Sequence, residues 1–177
     1  MCCGANTWYT AVVYETDLHQ NEESRTGMKK EMAHYGAKND YSAQKLTVEA
    51  SMENLSEVTA FIDELLEQAD CQVKTRMQIE LAVEEIFVNI AHYAYAPEKG
   101  DATIHVELAE EPKEARITFI DRGKPYDPLQ KTDPDVTLSA EERSVGGLGV
   151  FLIKKTMDDV QYVYRDGQNI LTVRKTL

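Results

Sequence analysis

Apolar and polar positions alternate, then rotate, then alternate again along this chain, and each change of period marks an element. From Lys45, Leu46 and Val48 alternate with Thr47 and Glu49 as a half-buried strand does. Asn54 then stands as an N-cap with Glu57 three residues on. Leu55, Val58, Ile62, Leu65, Leu66 and Ala69 gather on one side of the helix that follows. A second helix is expected from about Val73 to Tyr95. Its apolar residues, among them Ile79, Val83, Ile86, Phe87 and Ile90, surround most of its circumference, which is the pattern of a largely buried helix. Alternating runs at 102–108 and 115–120, parted by Glu110-Glu111-Pro112, read as a hairpin. Residues 122–147 have no period and are rich in Pro, Asp, Gly, Ser and Lys; a loop that long in a small domain is usually functional. A short helix from about Leu148 to Met157 follows, and runs at 160–164 and 170–175 flank Arg165-Asp166-Gly167-Gln168-Asn169 as a closing hairpin.

These elements predict an α/β two-layer sandwich: about three helices over one face of a mixed, mostly antiparallel sheet of about five strands. At 177 residues there is room for one domain with a sizeable core and not for two ordinary ones. Residues 45–177 are expected to form it. Residues 1–44 lack sustained periodicity apart from an apolar run from Trp8 to Tyr14, which reads as an added strand, and are expected to be an N-terminal extension.

Composition narrows the classes. The 31 acidic against 19 basic residues give a formal charge of −12, which repels a nucleic-acid backbone or an anionic membrane, so direct nucleic-acid binding is disfavoured. No apolar stretch approaches the ~20 residues that cross a bilayer. The opening Met1-Cys2-Cys3-Gly4 has neither the basic segment nor the apolar run of a secretory signal, so a cytoplasmic protein is expected. Cys2, Cys3 and Cys71 are too few and too badly spaced for a disulfide framework or a zinc knuckle.

The candidate chemistry lies at polar positions where the pattern calls for apolar ones. Glu85 and Asn89, at i and i+4, share one face of the apolar second helix, and His92 continues the stripe. Burying an unpartnered polar group costs about 2–7 kcal/mol, so a ligand pocket would explain them. Taken alone, the helix is explained as well or better by a solvated edge. At a strand end, Ile120-Asp121-Arg122-Gly123-Lys124-Pro125 sends an acid into a Gly and Pro turn. Such an acid can accept a hydrogen bond from a base amine, and Gly123 lets a ligand approach the backbone, although a plain turn uses the same residues. Gly146-Gly147-Leu148-Gly149 opens a helix, where free N–H groups suit phosphate. Leu152 at the third glycine position excludes a dinucleotide fingerprint, and no Gly-Lys-Ser/Thr of a P-loop is present. His92 and His105 have no companions at metal-ligand spacing.

In this order, Glu85 to Tyr95 resembles the N box of the histidine-kinase-like ATPases, the superfamily of gyrase, heat-shock chaperone, histidine kinase and MutL nucleotide domains. Residues 121–127 and 146–149 resemble its glycine boxes. Within it, the chain is most similar to the anti-sigma factor serine kinases, over roughly Lys45 to Leu177. The resemblance implies ATP and Mg²⁺ as cofactors, with Asn89 as the Mg²⁺ ligand and Asp121 as the acceptor of the adenine amine. Gly123, Gly146, Gly147 and Gly149 would lie along the nucleotide, Thr172 would support Asp121 through water, and Glu85 would be the general base. Residues 129–145 would form an ATP lid, with Arg143 or Lys131 toward the phosphates. Pro125 replaces the second glycine that many members carry. The implied partners are a sigma factor and an anti-anti-sigma antagonist phosphorylated on serine, and a homodimer is compatible with this reading. A non-catalytic, nucleotide-dependent switch is the alternative.

Overall fold

The computed structural model describes residues 41–130 and 148–177. Five strands, β1 (Tyr41–Glu49), β2 (Asp101–Glu110), β3 (Lys113–Asp121), β4 (Asp159–Arg165) and β5 (Gln168–Thr176), form one sheet in the order β1-β2-β3-β5-β4. Three helices, α1 (Leu55–Gln68), α2 (Val73–Asn89) and α3 (Leu148–Thr156), cover one face. The two-layer sandwich is therefore the expected one. Strand β1 already runs at Tyr41, upstream of Lys45, where alternation becomes visible. The run at 8–14 lies outside the described residues.

The sheet is antiparallel at every pairing, not mixed. Two helices separate β1 from β2, and an even number of passes returns the chain to the end where β1 stopped, so β2 runs back against it. Strands β3 and β4 run parallel, with β5 inserted between them and paired antiparallel with both.

One face of each strand supplies the core. Ile104 stands opposite Phe119, and Val106 opposite Ile117, which in turn faces Val173. These pack against Val58, Ile62 and Leu66 of α1 and Ile79, Val83 and Phe87 of α2, all essentially inaccessible. Each such side chain contributes about 1.5–3 kcal/mol by leaving water. The other face is polar. It carries the hydroxyl pairs Thr47–Thr103 and Thr118–Thr172, each 3.0 Å apart, and a Glu114–Arg174 contact of 3.1 Å.

Asn54 does not cap α1 with its side chain. A short 3-10 turn, Met52–Asn54, leads into the helix, and Asn54 Nδ2 instead donates to the Glu49 carbonyl at 2.9 Å, which fastens the turn to the end of β1.

Candidate functional site

Chain direction alone gathers the site. The ends of α2 and β3 and the beginnings of β5 and α3 all fall at one edge of the sandwich, because α2 runs with β1 and β3 while α3 and β5 run back.

On α2, Glu85 and Asn89 are one turn apart and half-buried. Asn89 Nδ2 donates to the Glu85 carbonyl at 2.6 Å. That bond commits the NH₂ side of the amide to the helix and leaves the oxygen for the cavity that Asn89 lines. Beyond Asn89 the helix widens into a π turn, Ile90–Ala94, a local change of winding often found at functional sites.

The loop after β3 is tied to this widened turn. Lys124 donates its backbone N–H to the Ala94 carbonyl at 2.8 Å, and its ammonium to the Ala96 carbonyl at 2.7 Å. The Tyr95 hydroxyl accepts from Arg122 N–H at 2.7 Å and donates to the Asp101 carbonyl at 2.6 Å. Gly123 permits the approach: a Cβ there would lie 2.6 Å from the Ala94 carbonyl carbon. The glycine thus accommodates the protein's own helix end.

Asp121, the last residue of β3, is 6% exposed. Its Oδ1 accepts the Gly123 N–H at 2.9 Å and Asn169 Nδ2 at 2.8 Å. Burial pushes its carboxyl above the ordinary carboxylate range, and these two bonds pull the other way. The family resemblance implies Thr172 as the support for Asp121 through water. The structure corrects this: Thr172 stands opposite Thr118 on the far face of the sheet, and Asn169 is the residue opposite Asp121. Asn169 passed as part of the β4–β5 turn. The turn is shorter, with Asp166 and Gly167 at positive φ of 52° and 75°. Asp-Gly is the preferred pair for such a two-residue hairpin, and that signal would have put Asn169 in β5.

Asn89, Asp121 and Asn169 line a cavity of about 320 Å³ whose other walls include Ile86, Phe119, Val150, Ile153 and Leu171. An apolar chamber with a few convergent polar groups suits a flat heteroaromatic ring with one hydrogen-bonding edge.

Glu85 stands outside that wall, against the first turn of α3. A Cβ on Gly149 would lie 2.7 Å from the Glu85 carboxyl carbon. The other acids near the site are placed less favourably. Glu84 is exposed, and Asp127 accepts from Leu129 N–H at 2.9 Å within its own turn. Gly146, Gly147, Lys131, Arg143 and most of the expected lid lie outside the described residues.

Among the described residues no group of three His, Cys, Asp or Glu side chains could cage a metal ion. Mg²⁺ needs no such cage. It keeps several waters and takes one or two hard protein oxygens alongside substrate phosphates. The Asn89 amide oxygen fits that donor set.

Fold and site together define an ATPase domain. Residues 48–175 match the model of the family described as "Histidine kinase-like ATPase domain", and the chain belongs to that family. It is 32% identical over 100 residues to the serine/threonine-protein kinase BtrW of Bordetella bronchiseptica, covering 56% of this chain and 70% of that one. It is 33% identical over 101 residues to the serine-protein kinase RsbW of Listeria monocytogenes serovar 1/2a, covering 54% of this chain and 63% of the relative's length. A crystal structure of the RsbU and RsbW domains of a Mycobacterium tuberculosis protein superimposes with a TM-score of 0.53 at 18% identity. It covers 75% of this chain and 32% of that one, and shares the fold.

Proposed function

We propose that this chain is an ATP-dependent protein serine kinase of the anti-sigma factor type. In this reading it holds a sigma factor in one state and phosphorylates an anti-anti-sigma antagonist on serine in another. The observation that carries the reading is the placement of Glu85 and Asn89 one turn apart on α2, beside a cavity on whose wall lies the buried carboxylate of Asp121. The names of the Bordetella and Listeria relatives support the kinase assignment.

Asp121 would accept the adenine amine. The Asn89 amide oxygen would hold Mg²⁺, which when bound supplies positive charge to the phosphates. Gly123 would keep the loop close to the base, and the segment at Gly146, Gly147 and Gly149 would present N–H groups to phosphate oxygens. Glu85 would take the proton of the attacking serine hydroxyl, the part a carboxylate plays in phosphoryl transfer. The sigma factor and antagonist follow from family resemblance. Among the described residues no helix is long and apolar enough to cross a membrane.

The test is incubation with labelled ATP, Mg²⁺ and a candidate antagonist, repeated with Glu85→Ala and Asn89→Ala. Transfer to serine that disappears in Glu85→Ala while nucleotide binding persists supports the reading. Binding without transfer by the unaltered protein sinks the kinase and leaves a nucleotide-dependent switch.

A further inference from the structure

Asn169 is 6% exposed and uses all four hydrogen-bonding capacities of its amide. Its Oδ1 accepts the Tyr126 backbone N–H at 3.1 Å and the Tyr162 hydroxyl at 2.7 Å. Its Nδ2 donates to the Lys124 carbonyl at 3.1 Å and to Asp121 Oδ1 at 2.8 Å.

Two of these partners cannot change role. A backbone N–H only donates and a backbone carbonyl only accepts, so Tyr126 and Lys124 between them exclude the flipped amide. With the amide fixed, its remaining N–H must point at Asp121. The Gly123 N–H arrives at the same Oδ1 at 2.9 Å, and two donors on one oxygen leave no place there for a proton. Oδ1 is therefore taken up within the protein, and Oδ2 is the oxygen of Asp121 left to meet a ligand.

We propose that Asn169 is the positioning residue that holds the Asp121 carboxylate with Oδ1 occupied and Oδ2 left to accept from a ligand, and so makes the cavity select purines bearing an exocyclic amine over purines without one. This inference rests on the nucleotide-binding reading of the cavity. It goes beyond that reading by giving the selectivity to a residue that faces the carboxylate from the neighbouring strand, and by tying it to Tyr126 and Tyr162, which hold the amide.

The experiment measures Kd for ATP and for purine riboside triphosphate, which carries hydrogen in place of the amine, on the full chain with Mg²⁺. The unaltered protein should prefer ATP by about tenfold or more, the range of a hydrogen bond to a charged group. In Asn169→Ala the preference should shrink to within about threefold, mostly through weaker ATP binding. A purely structural role would weaken both ligands equally and keep the ratio, which overturns the proposal. Because Asn169 is buried, Tyr162→Phe serves as the milder variant: it deletes one donor to the Asn169 amide oxygen and should lower the ratio by about threefold. If Asn169→Ala fails to fold, an unchanged ratio in Tyr162→Phe overturns the proposal. A protein that binds neither triphosphate removes the nucleotide reading and this inference together. Binding of both, with a ratio indifferent to Asn169, removes this inference alone.

Discussion

The carboxylate of Glu85 rests on the backbone of Gly149, so closely that any side chain at 149 would occupy the space of the acid itself. The first turn of α3 therefore sets where the proposed base can stand. A methyl at 149 would have to displace Glu85, whose side chain is the more yielding partner. We expect Gly149→Ala to lower phosphoryl transfer by at least about tenfold while the Kd for ATP changes by less than about threefold. Glu85→Gln should lower it by about 10²–10⁴, the usual contribution of a general base. Rates and affinities on the same samples check both. Full transfer in Gly149→Ala would mean that Glu85 is not held where it must act.

Gly123 makes a comparable contact at the other wall. Gly123→Ala places a methyl against the Ala94 carbonyl and must push the 122–124 loop away from the π turn, at the expense of the Lys124 N–H bond to Ala94. Backbone cannot yield as a carboxylate does. Overpacking of this kind costs about 1–3 kcal/mol, so denaturant unfolding should show that loss. ATP affinity should fall with it, because the Gly123 N–H is one of the two donors that hold Asp121 Oδ1.

Much of this was legible in the sequence, for reasons that differ by element. The helices and the β2–β3 hairpin follow from period alone, because Ile62, Phe87 and Ile104 can leave water only if those faces turn inward. Glu85, Asn89 and Asp121 were found because each interrupts an apolar pattern, and the structure brings Asn89 and Asp121 to one cavity with Glu85 at its margin. Strand order was not legible. Local pattern predicts that β4 and β5 pair, but not that β5 wedges between β4 and β3. The family resemblance implies support for Asp121 from Thr172, which stands on the other face of the sheet, whereas Asn169 is the residue that donates to it. Asn54 stands at the N-cap position that its spacing predicts, but its side chain donates to the Glu49 carbonyl and does not accept from the helix.

Asp158 offers a stability test away from the site. It accepts the Thr176 N–H at 2.7 Å and the Lys175 ammonium at 3.1 Å, fastening the end of β5. The Thr176 bond foremost, helped by the Lys175 contact and opposed by partial burial, holds its carboxyl below the ordinary range. A depressed carboxyl stabilises the fold above its unfolded pKa, and this is lost as pH falls through its folded value. Asp158→Asn should cost about 0.5–1 kcal/mol near neutrality, kept small by solvent screening, and the difference should shrink as pH falls below the ordinary aspartate range. Thermal melts across that range measure it.

Asp121 carries the opposite sign, and its two consequences separate cleanly. Its carboxyl is raised by burial, so its contribution to stability is complete below the unfolded pKa and is lost as pH rises through the folded one. The ligand-free protein should therefore gain from Asp121 on acidification. Binding should lose, because only the carboxylate offers both oxygens as acceptors and an amine donor needs the one that faces the cavity. ATP affinity should fall as pH is lowered from about 7 toward about 4.5. In Asp121→Asn the affinity should be low throughout and should fall less over the same interval, since only the titration of ATP itself remains. Calorimetric titration at several pH values, alongside melts of the ligand-free protein, decides the matter. If affinity and ligand-free stability fell together on acidification in the unaltered chain but not in Asp121→Asn, Asp121 would be supporting the fold and not reading the base.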